Sequence, residues 1–235
     1  MFLDSYHTNN ASSVSVAAAQ ASRFAKQIAD DFNPLHDEDA KRFCVPGDLL
    51  FALVLSRYGV SEQMNFSFGG MVGADTPLVF PAEVGASFNI DGENSKTYLS
   101  IERNGANSTD TAFIEAFIRQ YVAFSGQNFP HILVPLMRSA NVMINPDRPL
   151  VIYESMAFEL NDLSAAEPVL KLSNTSIDVN GKRGDVGLFF DIESNGALIG
   201  SGVKKLVLSS LREFDDARMQ AICDEYDQRK RNFSA

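Results

Sequence analysis

Gly47-Asp48-Leu49-Leu50-Phe51-Ala52-Leu53-Val54-Leu55-Ser56-Arg57-Tyr58 is the stretch on which the fold turns. Gly47 opens a helix predicted over Asp48 to Tyr58, and Leu49 through Leu55 are apolar on every side. A helix apolar all round must be enclosed all round, by a large core or by lipid. Crossing a bilayer takes about 20 residues, so this segment is too short and protein must wrap it.

The wrapping material follows directly. Met64, Phe66 and Phe68 alternate with Asn65 and Ser67, and Val84, Ala86, Phe88 and Ile90 repeat the pattern. This period of two is that of a strand with one buried face. A third strand is predicted over Thr97 to Arg103, after a turn at Asp91-Gly92. A buried helix followed by short antiparallel strands predicts an α+β chain whose sheet curls around the helix. Upstream, Val14, Ala17, Ala18, Ala21, Ala25 and Ile28 predict a helix over Ser13 to Ala29, capped by Ser12 or Ser13. It ends in a polar turn, Asp30-Asp31-Phe32-Asn33-Pro34-Leu35-His36, in which Pro34 blocks helix continuation.

The second half repeats this plan. Phe113, Ala116, Phe117, Gln120, Tyr121 and Phe124 have helical spacing. The polar turn Ser125-Gly126-Gln127-Asn128-Phe129-Pro130-His131 and an apolar stretch from Ile132 to Met137 come next. Strands are predicted over Leu150 to Leu160, Val169 to Val179, Asp185 to Glu193 and Ala197 to Ser209, with hairpin signals at Asn180-Gly181 and Asn195-Gly196. Asn33 and Asn128 are 95 positions apart, as are His36 and His131. The coincidence, with the matching order of elements, points to an internal duplication: repeats at 1–105 and 106–210, then a C-terminal segment, 211–235. That last segment is predicted helical from Ser210 to Arg231, with Ser210 and Glu213 as a capping box and a basic end suited to the helix dipole.

Composition bounds the function. With 20 Lys+Arg against 30 Asp+Glu, the formal net charge is -10, which excludes a general binder of nucleic-acid phosphates. The start, MFLDSYHTNN, lacks the layout of a secretory signal, and no apolar run reaches membrane-spanning length, so a cytoplasmic protein is expected. Cys44 and Cys223 are the only cysteines, which leaves no disulfide framework and no cysteine-based zinc site.

The segment Asp31-Phe32-Asn33-Pro34-Leu35-His36 resembles the D-x-N-P-L-H motif of MaoC-like, (R)-specific enoyl-CoA hydratases. Val45-Pro46-Gly47-Asp48-Leu49-Leu50 resembles that family's V-H-G-M-L-L, in which the glycine begins the central helix. The resemblance covers roughly residues 20 to 60 and implies a hot-dog fold, here two hot-dog repeats in one chain with a C-terminal helix. It implies a hydro-lyase that adds water to a trans-2-enoyl thioester of CoA or acyl carrier protein, or the reverse. Asp31 and His36 would divide the acid and base roles, and Asn33 would orient them. The amide of Gly47, at the positive end of a buried helix, would receive the enolate charge on the thioester oxygen. No cofactor or metal is implied, and a monomeric double hot-dog or a homodimer is expected.

The chain departs from the family at Pro46, which replaces a histidine, and in having only ten residues between His36 and Gly47. The serine that some members carry on the central helix aligns with Leu55, one position from Ser56. The second copy has no carboxylate where Asp31 sits, so it would be non-catalytic. Alternatives are a non-catalytic acyl-thioester binding protein, favoured by Pro46 and the short loop, and a thioesterase on the same fold. Taken without the motif, Asp31 reads as a turn residue, His131 as a structural histidine and Cys44 as an unactivated thiol. Asp37, Glu38 and Asp39 read as a solvated helix start, and Gly69-Gly70-Met71-Val72-Gly73 as a bend between strands. Gly181-Lys182-Arg183-Gly184 reads as a hairpin loop, and Lys204 and Lys205 have only a weak claim on a CoA phosphate.

Overall fold

The computed structural model describes residues 2–93 and 95–234. A ten-stranded sheet runs in the order β1-β2-β4-β5-β6-β3-β8-β11-β10-β9, antiparallel at every junction. Its long strands are β3 (Val60–Phe68), β5 (Ser87–Gly92), β6 (Thr97–Ser108), β8 (Val151–Leu160), β9 (Val169–Asn180), β10 (Arg183–Ser194) and β11 (Ala197–Ser209). The two-residue strands β1 (Thr8–Asn9), β2 (Val14–Ser15) and β4 (Leu78–Val79) extend one edge. The halves join where β3 pairs with β8, from Gln63 against Glu159 to Ser67 against Ser155.

Helix α2 (Gly47–Tyr58) is buried at every position from Asp48 to Leu55, as its continuous apolar run requires. Beside it lies α3 (Thr111–Gly126), with the Phe51 and Tyr121 rings 4.5 Å apart. Phe51 packs edge-on to Phe66 of β3, and Phe117 edge-on to Phe158 of β8, so each helix is seated on its own half of the sheet. This is a hot-dog fold: the sheet curls around two neighbouring helices, and the core runs unbroken across both halves. A second, smaller cluster is closed by α4 (Leu133–Ser139), where Leu133 and Met137 meet Leu188, Leu206 and Leu208.

The strand and hairpin expectations hold closely. Asn195 and Gly196 both take positive φ, as a two-residue turn between right-twisted strands requires. Three local expectations give way to pairing across the chain. The first helix, α1, spans Ala18–Gln27 rather than starting at Ser13, because Val14–Ser15 are drawn into the sheet against β1 and Leu78. Its start is closed by Gln20, whose side chain accepts the Ala17 N–H, and not by Ser12 or Ser13. At the other end, Arg212–Glu213 form strand β12 against β7 (Val142–Met143), which dismantles the expected Ser210/Glu213 box. Helix α5 therefore begins at Asp216 and runs to Ser234. Asp91 and Gly92 belong to β5, and the turn falls just after them.

Candidate active site

The motif is fixed by a chain of short hydrogen bonds. After α1, the Asp31 N–H donates to Ala25 O (2.8 Å) and the Phe32 N–H to the Tyr226 hydroxyl (3.1 Å). The Asn33 N–H donates to Asp31 Oδ1 (2.9 Å), while Asn33 Oδ1 accepts the Leu35 N–H (3.0 Å) and caps the single 3-10 turn Pro34–His36. Asn33 thus orients Asp31 through its backbone, and its side chain is spent on the turn. His36 Nδ1 lies 2.7 Å from the Cys44 carbonyl. A carbonyl only accepts, so Nδ1 carries the proton and, in the neutral ring, Nε2 is a bare acceptor. That nitrogen faces Asp31 Oδ2 at 3.6 Å. Burial pushes the Asp31 carboxyl above the usual range, against the opposing pull of His36.

Helix α3 delivers the rest of the site. Its last residue, Gly126, is pressed against the Ala29 carbonyl and the Asp31 Cβ, where a side chain has no room. Immediately before it, Ser125 Oγ donates to Asp48 Oδ2 (2.5 Å), and Lys204 of β11 donates to the same Ser125 Oγ. Lys204 Nζ lies 4.0 Å from Asp48 Oδ2 and 4.2 Å from the centre of the Tyr153 ring. Tyr153 is hydrogen-bonded to Tyr121 through their hydroxyls. Asp48, Ser125, Asn128 and Lys204 are only 7%, 4%, 4% and 5% exposed. Burial lowers the Lys204 ammonium from its ordinary value, although Asp48 and Asp31 pull it back up.

These groups line one cavity of about 430 Å³ with a largely apolar remainder that includes Leu50, Phe68, Leu133 and Leu206. Gly47 forms part of its wall, where an added Cβ would come within 2.9 Å of Tyr153 and 3.1 Å of Phe68. The Leu49 and Leu50 N–H groups turn back to Pro46 O, while those of Gly47 and Asp48 precede any intrahelical acceptor. Helix α5 closes another side with Ile222, Tyr226 and Arg229. It is tied to the motif by ion pairs from Arg229 to Asp37 and from Lys230 to Asp30.

Asp31, His36, Asn33 and Gly47, all singled out from sequence, therefore sit around one cavity. His131, read as structural, is exposed, and the cavity position in the second copy goes to Asn128. Lys204, credited with a weak hold on a phosphate, is buried in the cavity wall instead. A signal for it existed: adjacent strand residues point to opposite faces, so either Lys204 or Lys205 had to turn inward. Cys44 also lines the cavity, but burial pushes its thiol up to about 11, which leaves no thiolate to attack.

Residues 1–217 match a family described as a protein of unknown function, DUF3581. The chain belongs to that family. The family match ends within the first turn of α5, so the cavity-lining Tyr226 and Arg229 fall beyond it. No curated protein matches the sequence. Among solved structures, a conserved protein of unknown function with hot-dog fold from Alicyclobacillus acidocaldarius is 10% identical, covering 92% of this chain and 99% of its own, with a TM-score of 0.46. A MaoC-like dehydratase is 11% identical over 87% of this chain and 98% of its own, with a TM-score of 0.42. An acyl-CoA thioesterase II from Mycobacterium marinum is 11% identical over 72% of this chain and 90% of its own, with a TM-score of 0.41. Among the described residues, no helix is long and apolar enough to cross a membrane.

Proposed function

We propose that this protein is a hot-dog lyase that hydrates a trans-2-enoyl thioester of CoA or acyl carrier protein, or dehydrates the 3-hydroxyacyl product. The observation that carries the reading is Asp31 Oδ2 facing the bare Nε2 of His36 at 3.6 Å on the wall of a largely apolar cavity. A water held by Nε2 loses a proton to it and adds its oxygen to C3. Asp31, whose burial favours the protonated carboxyl, gives its proton to C2. The proton on His36 then returns to Asp31, which restores the pair. Enolate charge on the thioester oxygen falls to the free N–H groups at the start of α2, at the positive end of the helix.

The test is loss of enoyl absorbance when purified protein meets crotonyl-CoA and a longer enoyl-CoA. Turnover that drops at least about a hundredfold in Asp31→Asn is the expected result, the usual scale of acid-base catalysis. No conversion by folded protein, with saturable acyl-CoA binding, refutes catalysis and leaves a binding protein. Release of free thiol without hydration would instead identify a thioesterase.

A further inference from the structure

The cavity holds hydrogen-bonding capacity that neither the fold nor the reacting pair uses. Among the described residues, the buried side-chain atoms without a partner are Asp48 Oδ1, Asn128 Oδ1, Asn128 Nδ2 and Ser194 Oγ. Asp48 and Asn128, which own three of these four, line the cavity. Buried polar groups are nearly always paired, and leaving one unpaired costs its full desolvation. Asn128 is not held there by a capping duty: its backbone carbonyl accepts the Ile132 and Leu133 N–H groups, and its side chain does nothing within the chain.

The unused set specifies its complement. Asp48 Oδ1 and Asn128 Oδ1 require a donor, and Asn128 Nδ2 requires an acceptor. An alkyl chain supplies neither. A carboxylate or a keto oxygen cannot donate, and a carboxylate would also face the carboxyls of Asp31 and Asp48. A hydroxyl donates and accepts without charge. We propose that the cavity selects acyl thioesters that carry a hydroxyl on the acyl chain, with Asn128 as the specificity-determining residue and Asp48 as a second contact. This deepens the thioester reading above and rests on it.

The experiment is calorimetric binding of hexanoyl-CoA against its 3-, 4-, 5- and 6-hydroxy derivatives, with Asp31→Asn used for the 3-hydroxy ester to silence turnover. At least one hydroxy ester should bind about tenfold tighter than hexanoyl-CoA, the effect of satisfying groups otherwise left unpaired. Asn128→Leu should erase that preference while hexanoyl-CoA binds at least as well as before. The ligand-free variant should melt higher than the parent, because the unpaired amide is gone. Should the leucine variant not fold, Asn128→Ala supplies the same comparison. Equal binding of hexanoyl-CoA and every hydroxy ester, or a preference that survives at full size without Asn128, overturns the proposal while leaving the hydratase reading intact. If no acyl-CoA binds at all, both fall together.

Discussion

Replacing Lys204 by methionine keeps the apolar stem and removes only the buried cation. In the parent protein that cation donates to Ser125 Oγ and stands 4.0 Å from Asp48 Oδ2. At that separation a unit charge pair is worth about 4 kcal/mol at an effective dielectric constant of about 20. Desolvation of the lysine offsets part of this, consistent with the lowered ammonium. Removing one partner leaves Asp48 buried, with one oxygen on Ser125 and the other on nothing. Breaking a buried pair in this way typically costs about 3–5 kcal/mol. Lys204→Met should therefore lose about that much stability by urea unfolding with an unchanged slope. The double variant Lys204→Met/Asp48→Asn, with no stranded charge, should recover at least about 2 kcal/mol of the loss. The pH dependence has a defined sign as well. A lysine whose folded-state value is lowered gives up its proton in the native state first, so stability rises with pH up to the ordinary lysine value. That rise should vanish in Lys204→Met. A single variant within about 1 kcal/mol of the parent, or a double variant as unstable as the single, would refute the ion-pair account.

Three further outcomes follow from the site. Gly126→Ala drives a Cβ into the backbone of Ala29, which the roughly 1 kcal/mol gain in helix propensity cannot offset; a loss above about 2 kcal/mol is expected, and a more stable variant would contradict the close packing of α3 on the motif. Asp31→Asn should be more stable than the parent at about pH 7, because a carboxyl raised by burial loses stability as pH climbs from its ordinary value through its folded one; melting curves from about pH 4 to pH 8 should show the parent's fall missing in the variant. Tyr226→Phe strips the Phe32 N–H of its acceptor and should cost about 1–2 kcal/mol in urea unfolding, together with a drop in kcat as Asp31 loosens; unchanged values for both would show that α5 does not steady the motif.

How much of the site was legible depends on how locally each residue is held. The turn Asp31 to His36 is specified by its own neighbours: Asn33 closes it from both sides and Pro34 ends the helix, so a short stretch of sequence carries its shape. The buried polar network is the opposite case. Asp48 and Ser125 are 77 positions apart, Ser125 and Lys204 79, and nothing near any of them in sequence announces the others. The same distance effect explains the misplaced helix ends. Ser12, Ser13 and Ser210 are good caps, but strand pairing at Val14 and at Arg212–Glu213 displaced the starts they would have capped.

The sequence by itself determined that one helix is enclosed, that alternating strands enclose it, and that an acid and a histidine share a turn at its entrance. Periodicity and local turn chemistry carry these, since each depends on residues a few positions apart. Only the tertiary structure decided which polar groups face the cavity and that α5 closes one side of it. The pairing of β3 with β8 and the packing of Gly126 on Ala29 bring the two halves together at the motif. A lysine inside a strand then meets an aspartate inside a helix because burial leaves each no other partner of opposite charge within reach.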